Sequence, residues 1–252
     1  MNVAISKRLR LDEVLVARGL YVSRSRARDA IVRGTVLVGG LAVSKPGQLV
    51  DADAVIAIAD PAQGYASRAA LKLVAGLDHF GMSPEGETAL DIGASTGGFV
   101  QVLLQRGAGH VIGVDVGHGQ LHASLANDER VTNLEGLNAR ELAREHLGGH
   151  KIGFVTSDVS FISLKLALPP ALDLAAAGAR CVLLIKPQFE AGREAIGKGG
   201  LLKDKALGPK IADDLCEWLG TQKGWRAFGI CDSPIEGADG NHEYLLGGIK
   251  DQ

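Results

Sequence analysis

The sequence predicts an α/β fold in which a doubly wound, Rossmann-like domain follows a small α+β module. Behind the front module, strand-like apolar runs alternate with helix-like segments, and several runs are continuous, as expected of strands covered by helices on both faces. A glycine-rich turn joins the first of these strands to a helix. The stretch 60–64 contains proline and glycine and no periodicity, so it predicts two domains, residues 1–60 and 61–252.

The front module is predicted to hold two helices and three short strands. The first helix follows the apolar spacing from Leu11 to Leu15, and Ser23 caps the second, over residues 24–33. Gly39-Gly40 marks a hairpin turn. The predicted strands occupy residues 36–38, 42–44 and 55–58.

The rear domain is predicted to be built from successive strand–helix units around a mostly parallel sheet. The predicted strands occupy residues 89–92, 111–114, 131–135, 152–156, 181–185, 225–230 and 244–249. The predicted helices occupy residues 67–80, 98–106, 164–176 and 204–219.

Charge is distributed unevenly along the chain. Residues 1–60 carry a balance of +3 and residues 61–252 a balance of −5, which favours a front module that binds an anion. Arginine clusters neutralise phosphates without reading bases, so this module is a candidate for nucleic-acid binding, and an ordinary solvated helix face is the alternative. The cluster consists of Arg8, Arg10, Arg24, Arg26, Arg28 and Arg33, with Lys7 beside them.

The glycine-rich turn is the candidate cofactor site. Its glycines let a ligand approach the backbone, and the helix that follows offers free N–H groups. Asp115 ends the next strand, about 20 residues past the turn, where an acid accepts ribose hydroxyls. Asp91, before the first glycine, suits a cationic sulfonium nucleotide. The candidate cofactor-binding residues are Asp91, Gly93, Ala94, Ser95, Gly97, Gly98, Phe99 and Asp115.

Three cofactor classes compete for this turn. A dinucleotide site needs G-x-G-x-x-G, but the glycine after Gly93 is Gly97. A phosphate-binding P-loop needs Lys and Ser/Thr after its last glycine, but Phe99 follows Gly98. S-adenosylmethionine therefore fits the turn best, and a strand–turn–helix without a ligand is the remaining alternative.

Both parts of the chain resemble known families. The front module resembles the S4-type RNA-binding domain, and the rear domain resembles the FtsJ/RrmJ-like ribose methyltransferases. The combination is similar to that of the TlyA family, described both as 2′-O-ribosomal-RNA methyltransferases and as haemolysins. The strings that carry the resemblance are Arg10-Leu11-Asp12, Ser23-Arg24, Lys45-Pro46-Gly47, Ser67-Arg68, Lys72-Leu73, Asp91 to Phe99, Asp158-Val159-Ser160-Phe161-Ile162-Ser163-Leu164, Lys186-Pro187-Gln188-Phe189-Glu190 and Gly240-Asn241-His242-Glu243.

The resemblance implies a catalytic Lys-Asp-Lys-Glu tetrad at Lys72, Asp158, Lys186 and Glu243, and Asp158 is also a candidate cofactor contact. Asp158 and Lys186 follow the carboxyl ends of two predicted strands, on the side of the glycine-rich turn. A ribose hydroxyl is a poor nucleophile until its proton is lost or shared, and a lysine flanked by acids accepts that proton or stabilises the alkoxide. Two surface salt bridges are the alternative.

The chain departs from the family pattern at two places. Ala69 and Ala70 stand where the family has two glycines, which is expected to alter how closely RNA or cofactor approaches that helix. Gly39-Gly40 replaces Asn-Gly and is expected to keep the hairpin turn. Arg68 and Lys198 are further candidate RNA contacts. Lys198 belongs to a basic loop, residues 193–205, that is predicted either to close over RNA or to be an ordinary loop.

The resemblance implies S-adenosylmethionine-dependent methylation of ribose 2′-hydroxyls, at cytidines of 16S and 23S ribosomal RNA, with ribosomal RNA or ribosomal subunits as partners. A membrane-active haemolysin and a non-catalytic RNA-binding assembly factor are the alternatives. Charges interrupt residues 1–16 and no long uncharged apolar stretch follows, so we expect a cytoplasmic protein without a signal peptide. We expect no metal site, and a monomer is the simplest state.

Overall fold

The computed structural model describes residues 8–237 and 240–252. The chain divides into two compact units, Met1–Gly64 and Tyr65–Gln252, which we call the front unit and the rear unit. Lys7, which belongs to the predicted basic cluster, lies outside the described residues.

The front unit combines two helices with short strands. Its elements are β1 (Arg8–Arg10), α1 (Leu11–Ala17), α2 (Arg24–Val32), β2 (Val36–Val38), β3 (Leu41–Val43), β4 (Leu49–Asp51) and β5 (Ile56–Ile58). Strand β2 lies between β3 and β5, and β1 pairs with β4, all antiparallel. Gly39 and Gly40 both have positive φ, as the predicted hairpin turn requires. Both helices bury apolar side chains in one core, among them Leu11, Leu15 and Ile31.

The rear unit alternates strands and helices. Its elements are α3 (Ala70–Phe80), β6 (Thr88–Ile92), α4 (Gly98–Gln105), β7 (His110–Asp115), α5 (Ala123–Ala126), β8 (Val131–Glu135), β9 (Ile152–Ser157), α6 (Leu164–Ala167), α7 (Pro169–Leu174), β10 (Ala175–Ile185), α8 (Pro187–Glu190), α9 (Leu207–Thr221), β11 (Trp225–Asp232) and β12 (Tyr244–Lys250).

Seven of these strands form one twisted layer in the order β11-β12-β10-β9-β6-β7-β8. Six strands run parallel, and β12 alone is antiparallel to its neighbours β10 and β11. One face packs on α3 and α4, and the other face packs on α7 and α9, so each face has its own apolar core. This arrangement confirms the predicted α/β class and is typical of S-adenosylmethionine-dependent methyltransferases.

Helix α3 lies close against the sheet. A Cβ added to Gly76 would lie 2.7 Å from Cγ1 of Val182 on β10, so only glycine permits this approach. Lys72 lies one turn earlier on the same face of the helix, because residues four apart share a face. The packing of α3 therefore directs Lys72 toward the sheet.

The last strand is tied down by a buried lysine. The amino group of Lys250 donates hydrogen bonds to the carbonyl oxygens of Leu172 (2.8 Å), Asp173 (2.9 Å) and Ala175 (2.8 Å), where α7 ends and β10 begins. Burial lowers the pKa of Lys250. Lys250 thus satisfies carbonyl groups that the end of α7 leaves without helical partners.

Several predicted boundaries differ from the observed ones. Helix α3 begins at Ala70 instead of residue 67, and the predicted helix 164–176 is divided into α6 and α7. Strand β10 begins at Ala175, well before the predicted start at residue 181. Strands β1 and β4 were not predicted. Within the described ranges, no helix combines the length and the apolar composition needed to cross a membrane.

Candidate active site

The glycine-rich turn lies at the carboxyl end of β6, between β7 and β9, where the direction of strand addition reverses. Gly93 and Gly97 have φ angles of 88° and 92°. A Cβ on Gly93 would lie 2.8 Å from the carbonyl oxygen of Asp158, so glycine is required where the turn meets the end of β9. The N–H groups of Gly93 and Ala94 both donate to the carbonyl oxygen of Val114 on β7.

Asp115, the last residue of β7, holds this turn in place. Its two carboxylate oxygens accept hydrogen bonds from the N–H groups of Ser95 (2.8 Å) and Gly117 (2.7 Å). The hydroxyl of Ser95 donates to the side-chain oxygen of Gln120 (3.0 Å). The carboxylate of Asp115 is thereby fixed beside the turn, at the strand end where an acid was predicted.

A cavity of about 560 Å³ opens at this edge of the sheet. Its size is within the range of small-molecule sites. Four predicted cofactor residues line it, namely Gly93, Ser95, Asp115 and Asp158. The other lining residues include Val114, Val116, Leu137, Asn138, Phe161 and Ile162, so most of the wall is apolar and the carboxylates are few.

A second cavity, of about 190 Å³, shares four lining residues with the first: Gly93, Ser95, Asp158 and Ser160. The predicted residues Ala94, Gly98 and Phe99 line this smaller cavity, as do Ser67, Ala69 and Lys186. Gly97 and Asp91 line neither cavity. The two cavities therefore meet at the glycine-rich turn and the segment that follows β9.

Lys186 stands at this meeting point. It follows β10 directly, just as Asp158 follows β9, and the two strands are parallel neighbours. Lys186 Nζ lies 2.5 Å from Oδ1 of Asp158 and donates a hydrogen bond to the hydroxyl of Ser160 (2.8 Å). The contact with Asp158 is an ion pair without hydrogen-bond geometry, because Oδ1 accepts no hydrogen bond within the described chain.

Lys72 and Glu243 form a second, deeper pair. The amino group of Lys72, on α3, donates to Oε2 of Glu243, the residue before β12. Their side chains are only 7% and 2% exposed, so this pair is not the surface salt bridge considered as the alternative. The four tetrad residues are thus arranged as two Lys–carboxylate pairs, and only the Lys186–Asp158 pair lines a cavity.

Asp91 is fully buried within β6. Its Oδ1 accepts a hydrogen bond from the hydroxyl of Thr156 (2.8 Å), and its Oδ2 has no hydrogen-bond partner among the described residues. Burial, with a smaller contribution from the carboxylates of Asp158 and Asp115, raises the pKa of Asp91 to about 7, although the hydrogen bond from Thr156 opposes the shift. Three carboxylates therefore surround the turn, and a cation at this place would relieve their mutual repulsion.

The sequence reasoning assigned no separate role to Phe161, which is the most exposed large apolar side chain of the described chain, at 90%. It has a positive φ of 66°, which is rare for an aromatic residue, and it lines the larger cavity. Its ring lies 5.0 Å from that of Phe189, on α8. A signal existed, because both residues belong to the strings that carry the family resemblance.

The predicted arginine cluster is partly engaged within the front unit. Arg10 and Arg24 both donate to the buried carboxylate of Asp12, at 3.1 and 3.2 Å, and their side chains stay about half exposed. Arg28, on α2, is exposed, and its guanidinium group forms no hydrogen bond or ion pair with another described residue. Arg8 lies 3.7 Å from Asp51 in an exposed ion pair.

Arg33 makes a bidentate contact with Asp60, at 3.0 and 2.8 Å. Asp60 also accepts hydrogen bonds from the hydroxyl of Tyr21 and the N–H of Ala62. Burial alone would raise the pKa of Asp60, but the bonds from Arg33 and Ala62 outweigh it and hold that pKa below its usual value. Arg26 reaches the carbonyl oxygen of Ala62 (3.3 Å). Arg33 is thus committed to an internal ion pair.

The basic loop 193–205 is a folded hairpin. Ile196 pairs with Leu202, and the buried Asn241 donates to the carbonyl oxygen of Gly200 (2.9 Å) and accepts from the N–H of Leu202 (3.2 Å). Lys198 stays exposed on this hairpin. Arg68 lies half-buried in the turn before α3.

Family models match both parts of the chain. A model for FtsJ-like methyltransferases matches residues 65–250, and a model for the S4 domain matches residues 9–56. The two matches cover the rear and front units and confirm the resemblance stated from the sequence.

Individual relatives agree with these models. The chain is 43% identical to the 16S/23S rRNA (cytidine-2′-O)-methyltransferase TlyA of Mycobacterium tuberculosis, over 96% of this chain and 90% of that protein. It is 40% identical to Hemolysin A of Brachyspira hyodysenteriae, over 94% and 98% of the two chains. A solved structure from Streptococcus thermophilus is 36% identical, with a TM-score of 0.76 over 98% of this chain and 90% of that one. The chain therefore belongs to the FtsJ-like methyltransferases and, within them, to the TlyA family.

Proposed function

We propose that this protein transfers a methyl group from S-adenosylmethionine to a ribose 2′-hydroxyl of ribosomal RNA, with cytidines of 16S or 23S RNA as the targets. The observation that carries the proposal is the Lys186–Asp158 pair at the junction of the two cavities. The relative from Mycobacterium tuberculosis bears the name of this activity. We assign residues 1–60 to RNA binding and residues 61–252 to chemistry.

The larger cavity suits S-adenosylmethionine. Asp115 is placed to accept the ribose hydroxyls, the backbone at Gly93 and Ser95 allows close approach, and apolar residues such as Val116 offer a surface for the adenine ring. Asp158 supplies negative charge on the wall where the sulfonium and the amino group would lie. Asp91 lines neither cavity, but its Oδ2, which has no partner among the described residues, fits a cationic ligand nearby. When bound, S-adenosylmethionine supplies a methyl group that an oxygen nucleophile attacks in line.

The smaller cavity suits the acceptor ribose. A 2′-hydroxyl placed there lies beside Lys186 and next to the wall that both cavities share. Lys186 either accepts the hydroxyl proton or stabilises the developing alkoxide, and the ion pair with Asp158 keeps its amino group close to that carboxylate. Lys72 and Glu243, buried as a neutralised pair, join the start of α3 to the start of β12.

The front unit supplies affinity for RNA. Arg8, Arg10, Arg24 and Arg28 keep exposed guanidinium groups, and such groups bind phosphates regardless of base sequence. Arg68 and Lys198, in the rear unit, are further candidate contacts. Arg26, in the front unit, is also a candidate, and it donates a hydrogen bond to the carbonyl oxygen of Ala62, near the end of that unit in the sequence. We leave Arg33 out of this surface because Asp60 neutralises it. The protein would act in the cytoplasm, where ribosomes are found.

A membrane-active function is the competing proposal, since one relative is called Hemolysin A. It predicts leakage of dye from liposomes made with anionic lipids, whereas the methyltransferase leaves such vesicles intact. A non-catalytic RNA-binding role predicts RNA affinity without methyl transfer. A single preparation of the purified protein, given both liposomes and ribosomal subunits, separates the three.

Lys186→Met is the decisive variant for the methyltransferase. It keeps much of the side chain's length and removes the amino group, so transfer of labelled methyl to ribosomal RNA should fall about a hundredfold or more. Affinity for S-adenosylhomocysteine should change little, because Asp115 and Gly93 are intact. Lys210→Met, at an exposed position of α9, is the matched control. Near-normal transfer by Lys186→Met, or methylation of bases instead of ribose, would show the proposal to be wrong.

A further inference from the structure

Two segments that follow neighbouring strands are joined by contacts outside the tetrad. We call residues 158–164, after β9, the serine segment, and residues 186–190, after β10, the lysine segment. The ring of Phe161 lies 5.0 Å from that of Phe189. Glu190 accepts hydrogen bonds from the hydroxyl of Ser163 (2.5 Å) and the N–H of Leu164 (2.8 Å). These contacts fix the distance between the two segments.

Ser160 occupies the centre of this arrangement. It lines both cavities, and it shares that position only with Gly93, Ser95 and Asp158 among the lining residues described above. Of these four, Asp158 forms an ion pair with Lys186 and Ser160 accepts a hydrogen bond from it. Within the described residues, Ser160 is therefore the hydroxyl that accepts a hydrogen bond from Lys186 at the junction where the acceptor oxygen and the methyl donor would meet.

The two contacts of the lysine amino group differ in kind. The ion pair with Asp158 brings Nζ to 2.5 Å from Oδ1 but lacks hydrogen-bond geometry, so it restrains the distance of the amino group more than its direction. The hydroxyl of Ser160 accepts the hydrogen bond that Lys186 donates, at 2.8 Å, and this bond is directional. An attraction without direction leaves a long side chain several rotamers, whereas an added hydrogen bond selects one.

The backbone prevents Ser160 from turning away. Phe161 has a φ of 66°, an unfavourable conformation for a residue with a Cβ, and such strain persists only where surrounding contacts hold it. The Phe161–Phe189 contact and the two bonds to Glu190 are those contacts. The strained turn thus keeps the backbone at Ser160 beside the lysine segment, within reach of Lys186.

We propose that Ser160 is a positioning residue that holds the amino group of Lys186 at the junction of the two cavities. The inference rests on the proposed function, because the orientation of Lys186 matters for transfer to an oxygen placed in the smaller cavity. Ser160 forms no bond to the methyl group and takes no proton. It acts through Lys186 alone.

The test compares Ser160→Ala, Ser160→Thr and the control Ser83→Ala, whose hydroxyl is exposed in the turn after α3. In Ser160→Ala, kcat for methyl transfer to ribosomal subunits should fall about tenfold to a hundredfold, since small errors of placement cost that much. KM for the subunits and affinity for S-adenosylhomocysteine should stay within about twofold. Ser160→Thr keeps the hydroxyl and should restore most of kcat.

A second measurement needs no activity. In protein labelled with 13C at lysine Cε, the order parameter of Lys186, assigned with Lys186→Met, reports how firmly the side chain is held. It should drop in Ser160→Ala to the level of the exposed Lys210, and remain high in the Thr and Ser83 variants.

Unchanged kcat and unchanged Lys186 mobility in Ser160→Ala would overturn the proposal. So would a loss of S-adenosylhomocysteine affinity that matches the loss of kcat, because Ser160 would then be a cofactor contact, or an equal loss of kcat in Ser160→Thr. If the wild-type protein transfers no methyl to ribose, the proposed function fails, and the mobility of Lys186 still decides whether Ser160 holds it.

Discussion

Asp91→Asn should stabilise the rear unit at pH 8 and weaken binding of the cationic cofactor. In the folded unit the pKa of Asp91 is raised to about 7, mainly by burial, whereas in the unfolded chain the pKa returns to its usual value of 3.8. Between these two values the folded unit binds one proton more than the unfolded chain, so its stability falls as pH rises. Above pH 7 the full cost of the buried charge is present. Asparagine is uncharged throughout and avoids this cost.

The expected size follows from the linkage of one proton. Each pH unit within the window costs about 1.4 kcal/mol, so between pH 5 and pH 7 the wild-type protein should lose about 2–3 kcal/mol of unfolding free energy relative to Asp91→Asn. Other titrating groups are common to both proteins and cancel in the difference. The amide oxygen of the new residue still accepts the hydrogen bond from Thr156.

Urea unfolding at several pH values measures this difference. Both tryptophans, Trp218 and Trp225, lie in the rear unit, so their fluorescence reports on that unit. Asp214→Asn, at an exposed position of α9, is the control and should show no such trend. Calorimetry should show that Asp91→Asn loses more affinity for cationic S-adenosylmethionine than for its uncharged-sulfur product. A stability difference that stays constant from pH 5 to pH 8 would refute the reasoning.

Three further variants test other parts of the molecule. Phe161→Ala removes an exposed ring that lines the larger cavity. Because stacking of a base on an aromatic ring contributes about 1–3 kcal/mol, kcat/KM for ribosomal subunits should fall about tenfold. Affinity for S-adenosylhomocysteine should be kept, and a loss of that affinity would contradict the prediction. Lys250→Met leaves three carbonyl groups without their donor and should lower the free energy of unfolding in urea by about 2–3 kcal/mol. An unchanged urea midpoint would show that the hydrogen bonds of Lys250 do not stabilise the rear unit. Arg28→Gln should reduce the slope of log affinity against log salt by about one for ribosomal RNA, and an unchanged slope would remove Arg28 from the RNA surface.

The elements of the rear sheet were predictable where apolar side chains alone decide the structure. Strand β8 has the predicted bounds, and the others differ by few residues at most ends. Strand β10 is the exception, because its first part, from Ala175 to Arg180, contains alanine and glycine, which have weak strand propensity. Its two ends are held by strand pairing, Ala175 with Ile152 on β9 and Arg180 with Phe154 on β9 and Ile249 on β12, which is information outside the local sequence.

Two other differences between the predicted and observed elements have identifiable physical causes. Pro169 and Pro170 lack the N–H groups that would continue a helix, so α6 ends before them and α7 begins at the first of them. Strands β1 and β4 have only three residues each and pair across about 40 positions, a distance at which single-residue patterns carry no signal.

In the candidate site, too, some contacts could be predicted from the sequence and others could not. Asp158 and Lys186 were predictable as neighbours, because parallel strands end at one edge of the sheet. The contact between Lys72 and Glu243 joins residues 171 positions apart, so the sequence offered only a family resemblance for it. Arg33 pairs with Asp60, which lies 27 positions away, and a count of charges cannot predict such a pairing. Ser160 was missed because a lone serine has no pattern of its own.

The place of β12 in the sheet also bears on how the protein is made. Strand β12 is translated after every other strand of the sheet, yet it lies between β11 and β10. Until residues 244–250 leave the ribosome, β10 has an open edge and β11 has no partner, and an open edge invites pairing with other chains. Glu243 directly precedes β12 and is synthesised 171 residues after Lys72, so Lys72 has no carboxylate partner from Glu243 until then. The chain therefore completes its tetrad only when β12 closes the sheet.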